Sequence, residues 1–101
     1  PRDSSSAAIA ACGMLEMAKY LDEAQRKKYT DAAHRLLYAL IQECGNRDLS
    51  RSNGLLLHGT YARGSRENTC KDRGVDECNT WGDYFYMEAL TRVLSDWKMY
   101  W

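Results

Sequence analysis

From Ala7 to Ala18 the chain reads Ala-Ala-Ile-Ala-Ala-Cys-Gly-Met-Leu-Glu-Met-Ala, and at helical periodicity these side chains leave almost no polar face. A helix of this kind is buried nearly all round and closely approached by its neighbours. Asp3 and Ser4 are good N-cap residues, so the expected helix runs from about Ser5 to Leu21. A second helix is expected from about Glu23 to Cys44, behind an Asp22 cap. Tyr29, Ala33, Leu36, Leu37, Leu40, Ile41 and Cys44 recur there at three- and four-residue steps. Arg26, Lys27, Lys28, Asp31, Arg35 and Glu43 take the other face, so this helix is half-exposed, and Gly45 stops it from the C′ position. A third helix is expected from about Trp81 to Asp96, capped by Asn79 or Thr80. Its apolar residues again cover more than one face, from Tyr84 and Phe85 to Leu94 and Trp97. The aromatic tail from Trp97 to Trp101 is expected to pack back on the body.

The order buried, half-exposed, buried is what an α/α barrel produces, with inner helices lining a toroid and outer helices wrapping it. Successive inner helices then run parallel, so the first and third should start at the same rim. Three helices cannot surround the first one. With 101 residues the chain has room for one small domain, and a start at Pro1, just ahead of a helix cap, reads as a cut inside a larger protein. Lysine plus arginine (14) equals aspartate plus glutamate (14). That balance argues against a nucleic-acid or membrane-surface partner, and the apolar runs are too short to span a bilayer.

Between Gly45 and Asn79 lies a loop far longer than the ~15 residues beyond which structureless connections become uncommon and usually functional. Only Leu55 to Tyr61 has the composition of a short strand. The loop joins the second helix to the start of the third, so it should hang over the rim beside Ser4, Ser5 and the segment from Trp81 to Asp83. Helix N-termini there favour anions.

The chemistry-bearing residues divide unevenly. His34 has no ligand partner at helical spacing and reads as a surface or boundary histidine. His58 either bonds a substrate hydroxyl or braces the loop. Ser4, Ser5 and Ser6 are a cap and small packing residues, since no nucleophile elbow occurs. Asp83, in the first turn of the third helix, serves the helix dipole more simply than catalysis; no second acid is fixed opposite it, as glycoside hydrolysis would need. Cys12 and Cys44 are small core hydrophobes. Cys70 and Cys78 share the loop and could bridge in an oxidising compartment, although the cysteine spacing is unlike a disulfide-dense domain or a zinc site. The stronger reading of the loop is a binding surface. Tyr61 offers a flat face and a hydroxyl, and Arg63, Arg66, Lys71 and Arg73 offer anion donors. The competing reading is a solvated loop whose arginines pair with Glu67, Asp72 and Asp76.

Several segments together resemble one family. Asp3 to Glu16 looks like a late inner helix of the unsaturated glucuronyl hydrolases, glycoside hydrolase family 88. Gly54-Leu-Leu-Leu-His-Gly-Thr-Tyr61, Gly74-Val-Asp-Glu77, Trp81-Gly-Asp-Tyr-Phe-Tyr-Met-Glu-Ala-Leu90 and the terminal Trp97-Lys-Met-Tyr-Trp101 also fit it, in order and across nearly the whole chain. Cys78 and Asn79 depart from it, where a serine and an apolar residue would be expected. The resemblance implies an all-α fold, residues 1–101 being the C-terminal part of a single (α/α)6-barrel catalytic domain: about three helices plus the long loop.

It further implies a lyase-generated oligosaccharide as substrate, whose non-reducing end is a 4,5-unsaturated uronic acid, glycosaminoglycan-derived or related. The double bond is hydrated after protonation by an aspartic acid, with no metal or organic cofactor. The two aspartates credited with that chemistry precede the matched segment, so the expected catalytic contribution of this chain is none and the isolated segment is expected to be inactive. What carries over is substrate binding: Tyr61 at the unsaturated sugar, and Thr69 and Lys71 as a Ser/Thr-x-Lys pair for sulfated sugars; His58, Arg63 and Trp81 join them as substrate-binding candidates on their own chemistry. The expected partners are the substrate and the remainder of the barrel. A family 105 barrel acting on unsaturated rhamnogalacturonan products and a non-catalytic helical carbohydrate-binding module are the alternatives, and the compartment stays open between a bacterial cytoplasm and periplasm.

Overall fold

The computed structural model describes residues 2–98 apart from 51, 63, 65, 70 and 71. It contains three helices, α1 (Ser4–Ala18), α2 (Glu23–Glu43) and α3 (Thr80–Leu94). Each starts where a short polar side chain satisfies a first-turn amide that has no intrahelical partner. Asp3 accepts from Ser5 N, Asp22 from Gln25 N and Asn79 from Gly82 N. The cap of α3 is therefore Asn79, one of the residues that depart from the family pattern. Both α1 and α3 end short of their expected limits, at Ala18 and Leu94. Gly45 follows α2 but does not adopt the left-handed conformation of a C′ glycine. Its lack of a side chain answers space instead, since a Cβ there would lie 3.1 Å from Ile41 O and 3.3 Å from the Tyr86 hydroxyl.

α1 packs against both other helices, which barely meet each other. The contact layer is made of small residues: Ala8, Ala11, Ala33 and Ala89 are completely buried, with Cys12, Leu37, Leu40 and Leu56 around them. Alanine at facing positions lets backbones come close, so dispersion contacts are dense although each side chain is small. α1 and α3 run parallel, as expected of neighbouring inner helices. Ser5 lies beside Gly82, Cys12 Sγ donates to Phe85 O at 3.3 Å, and Glu16 meets Arg92 at 2.5 Å.

The other faces of the inner helices stay open. Ile9 and Met17 on α1, and Tyr84, Met87, Val93 and Leu94 on α3, are exposed. This is the uncovered surface expected when only two helices pack against α1. An apolar groove between α2 and α3 is lined by Leu37, Tyr38, Ile41, Leu90, Val93 and Leu94, with His34 at its edge. His34 is exposed, as its sequence context indicated. Among the described residues no helix is long and apolar enough to cross a membrane. Trp97 covers the Arg92 guanidinium, its ring centre 5.2 Å away, while the tail beyond residue 98 lies outside the described residues.

Candidate functional site

The described residues of the loop are joined by turns, hydrogen bonds and two isolated bridges. Asn46 anchors its first part: its side-chain amide donates to Ser52 O and Gly54 O, both at 2.7 Å. Leu57 N donates to Cys44 O and Asn46 N to Leu55 O, which brings Gly45 and Leu56 into an isolated antiparallel bridge. A second bridge joins Gly59 to Glu77 through N–O distances of 2.7 and 2.9 Å. The expected strand from Leu55 to Tyr61 does not form among the described residues. His58 has φ of 67°, a left-handed conformation that breaks extended geometry and that a residue other than glycine adopts only under constraint.

Part of that constraint comes from α1. The Ser4 backbone amide donates to His58 O at 3.1 Å and the Ser4 hydroxyl to Leu57 O at 2.6 Å. Thr60 N donates to Asp3 Oδ1, and the Thr60 hydroxyl to Arg2 O. Burial alone would raise the Asp3 pKa, but the hydroxyls of Ser5 and Ser6 and the amides of Thr60 and Ser5 outweigh it, so the carboxyl titrates below its ordinary range. α3 supplies the other anchor. Asp83 Oδ1 accepts from Leu55 N at 3.0 Å and Leu56 N at 2.8 Å. Asp83 lies in the first turn of α3, as the dipole reading has it, and its side chain also holds a loop residue 28 positions away.

On this frame Tyr61 and Trp81 come together edge to face, ring centres 5.5 Å apart at 85°. Both remain open to solvent, at 39% and 44%. Tyr61 N donates to Gly74 O, and Gly74 has φ of 81° with no room for a Cβ, which would sit 2.8 Å from the Ala62 Cβ; only glycine fits there. The Tyr61 hydroxyl donates to Glu77 Oε2 at 2.7 Å and accepts from the Asn68 amide at 3.2 Å. That bond to Tyr61 lowers the Glu77 pKa. His58 Nδ1 lies 2.5 Å from Asp76 Oδ1, and Asp76 is itself left-handed, with φ of 59°.

Of the six residues singled out from sequence, the structure thus joins Tyr61 to Trp81 and sets His58 on the same bridged segment. Thr69 is exposed further along the loop. Arg63 and Lys71 lie outside the described residues, as does Cys70; Cys78 is a free thiol. Arg66 and Arg73 are exposed and, among the described residues, form no ion pair with Glu67, Asp72 or Asp76. Sequence reasoning missed the roles of Asp76, Glu77 and Asn68. The signal for the first two was their adjacency just before the third helix.

The chain aligns over its whole length with known hydrolases. It is 47% identical over 103 residues to an unsaturated chondroitin disaccharide hydrolase of Streptococcus agalactiae. It is 39% identical to an unsaturated glucuronyl hydrolase of Bacillus sp. strain GL1. Its relatives are unsaturated glucuronyl hydrolases. The backbone superimposes on a crystal structure of such a hydrolase variant from Streptococcus agalactiae with a TM-score of 0.86 and 46% identity, covering 100% of this chain and 27% of that one. A further variant, described with dGlcA-Glc-Rha-Glc, gives a TM-score of 0.78 at 40% identity over 91% of this chain and 23% of that one. The chain spans about a quarter of its curated relatives: 24% of the Streptococcus protein and 26% of the Bacillus protein. No protein-family model matches it. The resemblance to unsaturated glucuronyl hydrolases, which are glycoside hydrolases, therefore covers the full segment, and its all-α architecture matches part of theirs.

Proposed function

We propose that residues 1–101 form the C-terminal part of a single barrel domain in an unsaturated glucuronyl hydrolase, and that the loop of this segment binds the substrate. The intact protein would release a 4,5-unsaturated uronic acid from lyase-generated glycosaminoglycan or related oligosaccharides by hydrating the double bond. The observation that carries the binding role is the perpendicular Tyr61–Trp81 pair, solvent-facing on a loop stitched to the N-terminal ends of α1 and α3. Two aromatic faces at right angles can stack on one sugar ring and wall its edge. His58, on the same bridged segment, would serve as a hydroxyl partner. Thr69 is open to solvent, and with Arg63 and Lys71 it would meet the charged groups of a uronic or sulfated sugar, Arg through paired donors and Lys as a point charge. The open faces of α1 and α3 support a larger barrel around this segment.

The test follows the ultraviolet absorbance of the double bond in an unsaturated chondroitin disaccharide. The full-length protein is expected to consume it and the isolated chain is not. Sustained turnover by pure isolated chain overturns the division of labour. A full-length protein that prefers unsaturated rhamnogalacturonan products overturns the substrate class.

A further inference from the structure

The rim holds its two most chemically equipped side chains with two adjacent acids. Asp76 meets His58 through Nδ1 at 2.5 Å, and Glu77 meets Tyr61 through its hydroxyl at 2.7 Å. Between these contacts the Gly59–Glu77 bridge fixes one backbone against the other. His58 and Asp76 both sit in left-handed conformations, which residues other than glycine keep only where the surroundings enforce them. We propose that Asp76 and Glu77 are positioning residues for His58 and Tyr61, and that Tyr61 meets a sugar with the face of its ring rather than with its hydroxyl proton.

This rests on the reading of the loop as a substrate-binding rim. A phenol carries a single proton, and here it is directed to Glu77, while the Asn68 amide reaches the same oxygen. A ligand hydroxyl would have to displace a charge-assisted bond, roughly twice as strong as a neutral one, to take that proton. The ring face asks for no such exchange. Trp81 stands against it at 85°, so the plane of Tyr61 is held by an aromatic neighbour as well as by its hydroxyl. At His58 the Asp76 carboxylate engages Nδ1, which leaves Nε2 as the ring nitrogen that faces a ligand. Asp76 thereby selects which nitrogen a sugar hydroxyl can address.

The experiment measures KM and kcat of the full-length protein on an unsaturated chondroitin disaccharide for Tyr61→Ala, Tyr61→Phe, Glu77→Ala, Glu77→Gln and Asp76→Asn. It adds the double variant Tyr61→Phe with Glu77→Ala. Losing the ring is expected to raise KM about tenfold or more. Tyr61→Phe and Glu77→Ala both remove the Tyr61–Glu77 bond, and Glu77→Ala also releases the Asp72 amide from Oε1 at 3.1 Å, so each should raise KM about three- to fivefold, Glu77→Ala the more, with kcat little changed. The double variant should be no worse than Glu77→Ala alone, because partners in one contact are not additive. Glu77→Gln keeps an acceptor and should recover most of the loss. Asparagine tolerates the left-handed backbone, so a KM rise of about threefold in Asp76→Asn reports the lost carboxylate rather than strain.

A double variant whose effect is the product of the two singles overturns the inference, as does a Tyr61→Phe effect with Glu77→Ala silent, which would put the hydroxyl on the substrate. An unchanged KM in Asp76→Asn removes Asp76 from it. A silent Tyr61→Ala instead overturns the rim reading itself.

Discussion

The two ends of the parallel pair α1 and α3 are both tied by polar groups, but to different things. At the N-terminal end the side chains of Asp3, Ser4 and Asp83 reach into the backbone of the loop. At the C-terminal end Arg92 donates to Glu88 at 2.7 Å and to Glu16 at 2.5 Å, side chain to side chain, with Glu88 and Arg92 almost wholly buried. One end spends its hydrogen bonds on the shape of a surface, and the other spends charge on keeping two helices in register. Cys12 reports the second environment: burial, reinforced by the Glu88 carboxylate, pushes its thiol up to about 12, so it stays protonated and inert. A chain can thus separate the residues that hold it together from those that shape its site, using the same two helices.

Three measurements on the full-length protein can break or sharpen that contrast. The largest effect should come from Arg92→Met, which strands the buried Glu88 charge and should cost about 3–5 kcal/mol in denaturant unfolding. KM of the surviving fold should stay unchanged, and a KM shift as large as that of the rim variants would erase the distinction. Asp83→Ala should cost less, about 1–3 kcal/mol for amides released from a charged acceptor, yet should raise KM. Hydrogen exchange at the Leu55 and Leu56 amides should accelerate; continued protection there would mean that Asp83 does not hold the loop.

The smallest effect is in acid. The hydrogen bonds from Lys19 and Arg92 hold Glu16 at about 2, below its ordinary 4.5. A depressed carboxyl contributes stability that is present above 4.5 and lost as pH falls toward 2. Glu16→Gln should therefore flatten the acid limb over that window, and an identical limb in the variant would remove the Glu16–Arg92 contact from the stability of this end.

The helices were legible because their signals are local: capping residues, three- and four-residue spacing, and alanines on every face of α1. The parallel placement of α1 and α3 followed from the order of buried and half-exposed helices. The loop was harder for physical reasons. His58 sits inside an apolar run with strand composition, and nothing in its identity announces a left-handed backbone held by Ser4. Asp83 looked like a dipole residue because its partners are separated from it by the whole loop. Tyr61 and Trp81 could each be picked as aromatic, but only folding shows them perpendicular and shows the Tyr61 hydroxyl engaged by Glu77. Glu88 was hidden within the apolar stretch of α3, although its spacing of four from Arg92 was visible.

The bonds from Ser4, Asp3 and Arg2 to the segment from Leu57 to Thr60 have a kinetic meaning. A flap that closes over its ligand needs a hinge that is free to turn. Here any swing of His58 must drag the first turn of a helix whose next turn is sealed among alanines. On the proposed reading, the ordering of this wall is completed when the protein folds, so a sugar would meet a shape already made. Entry and departure would then be timed by whatever lies across the mouth from this wall, and not by the wall itself.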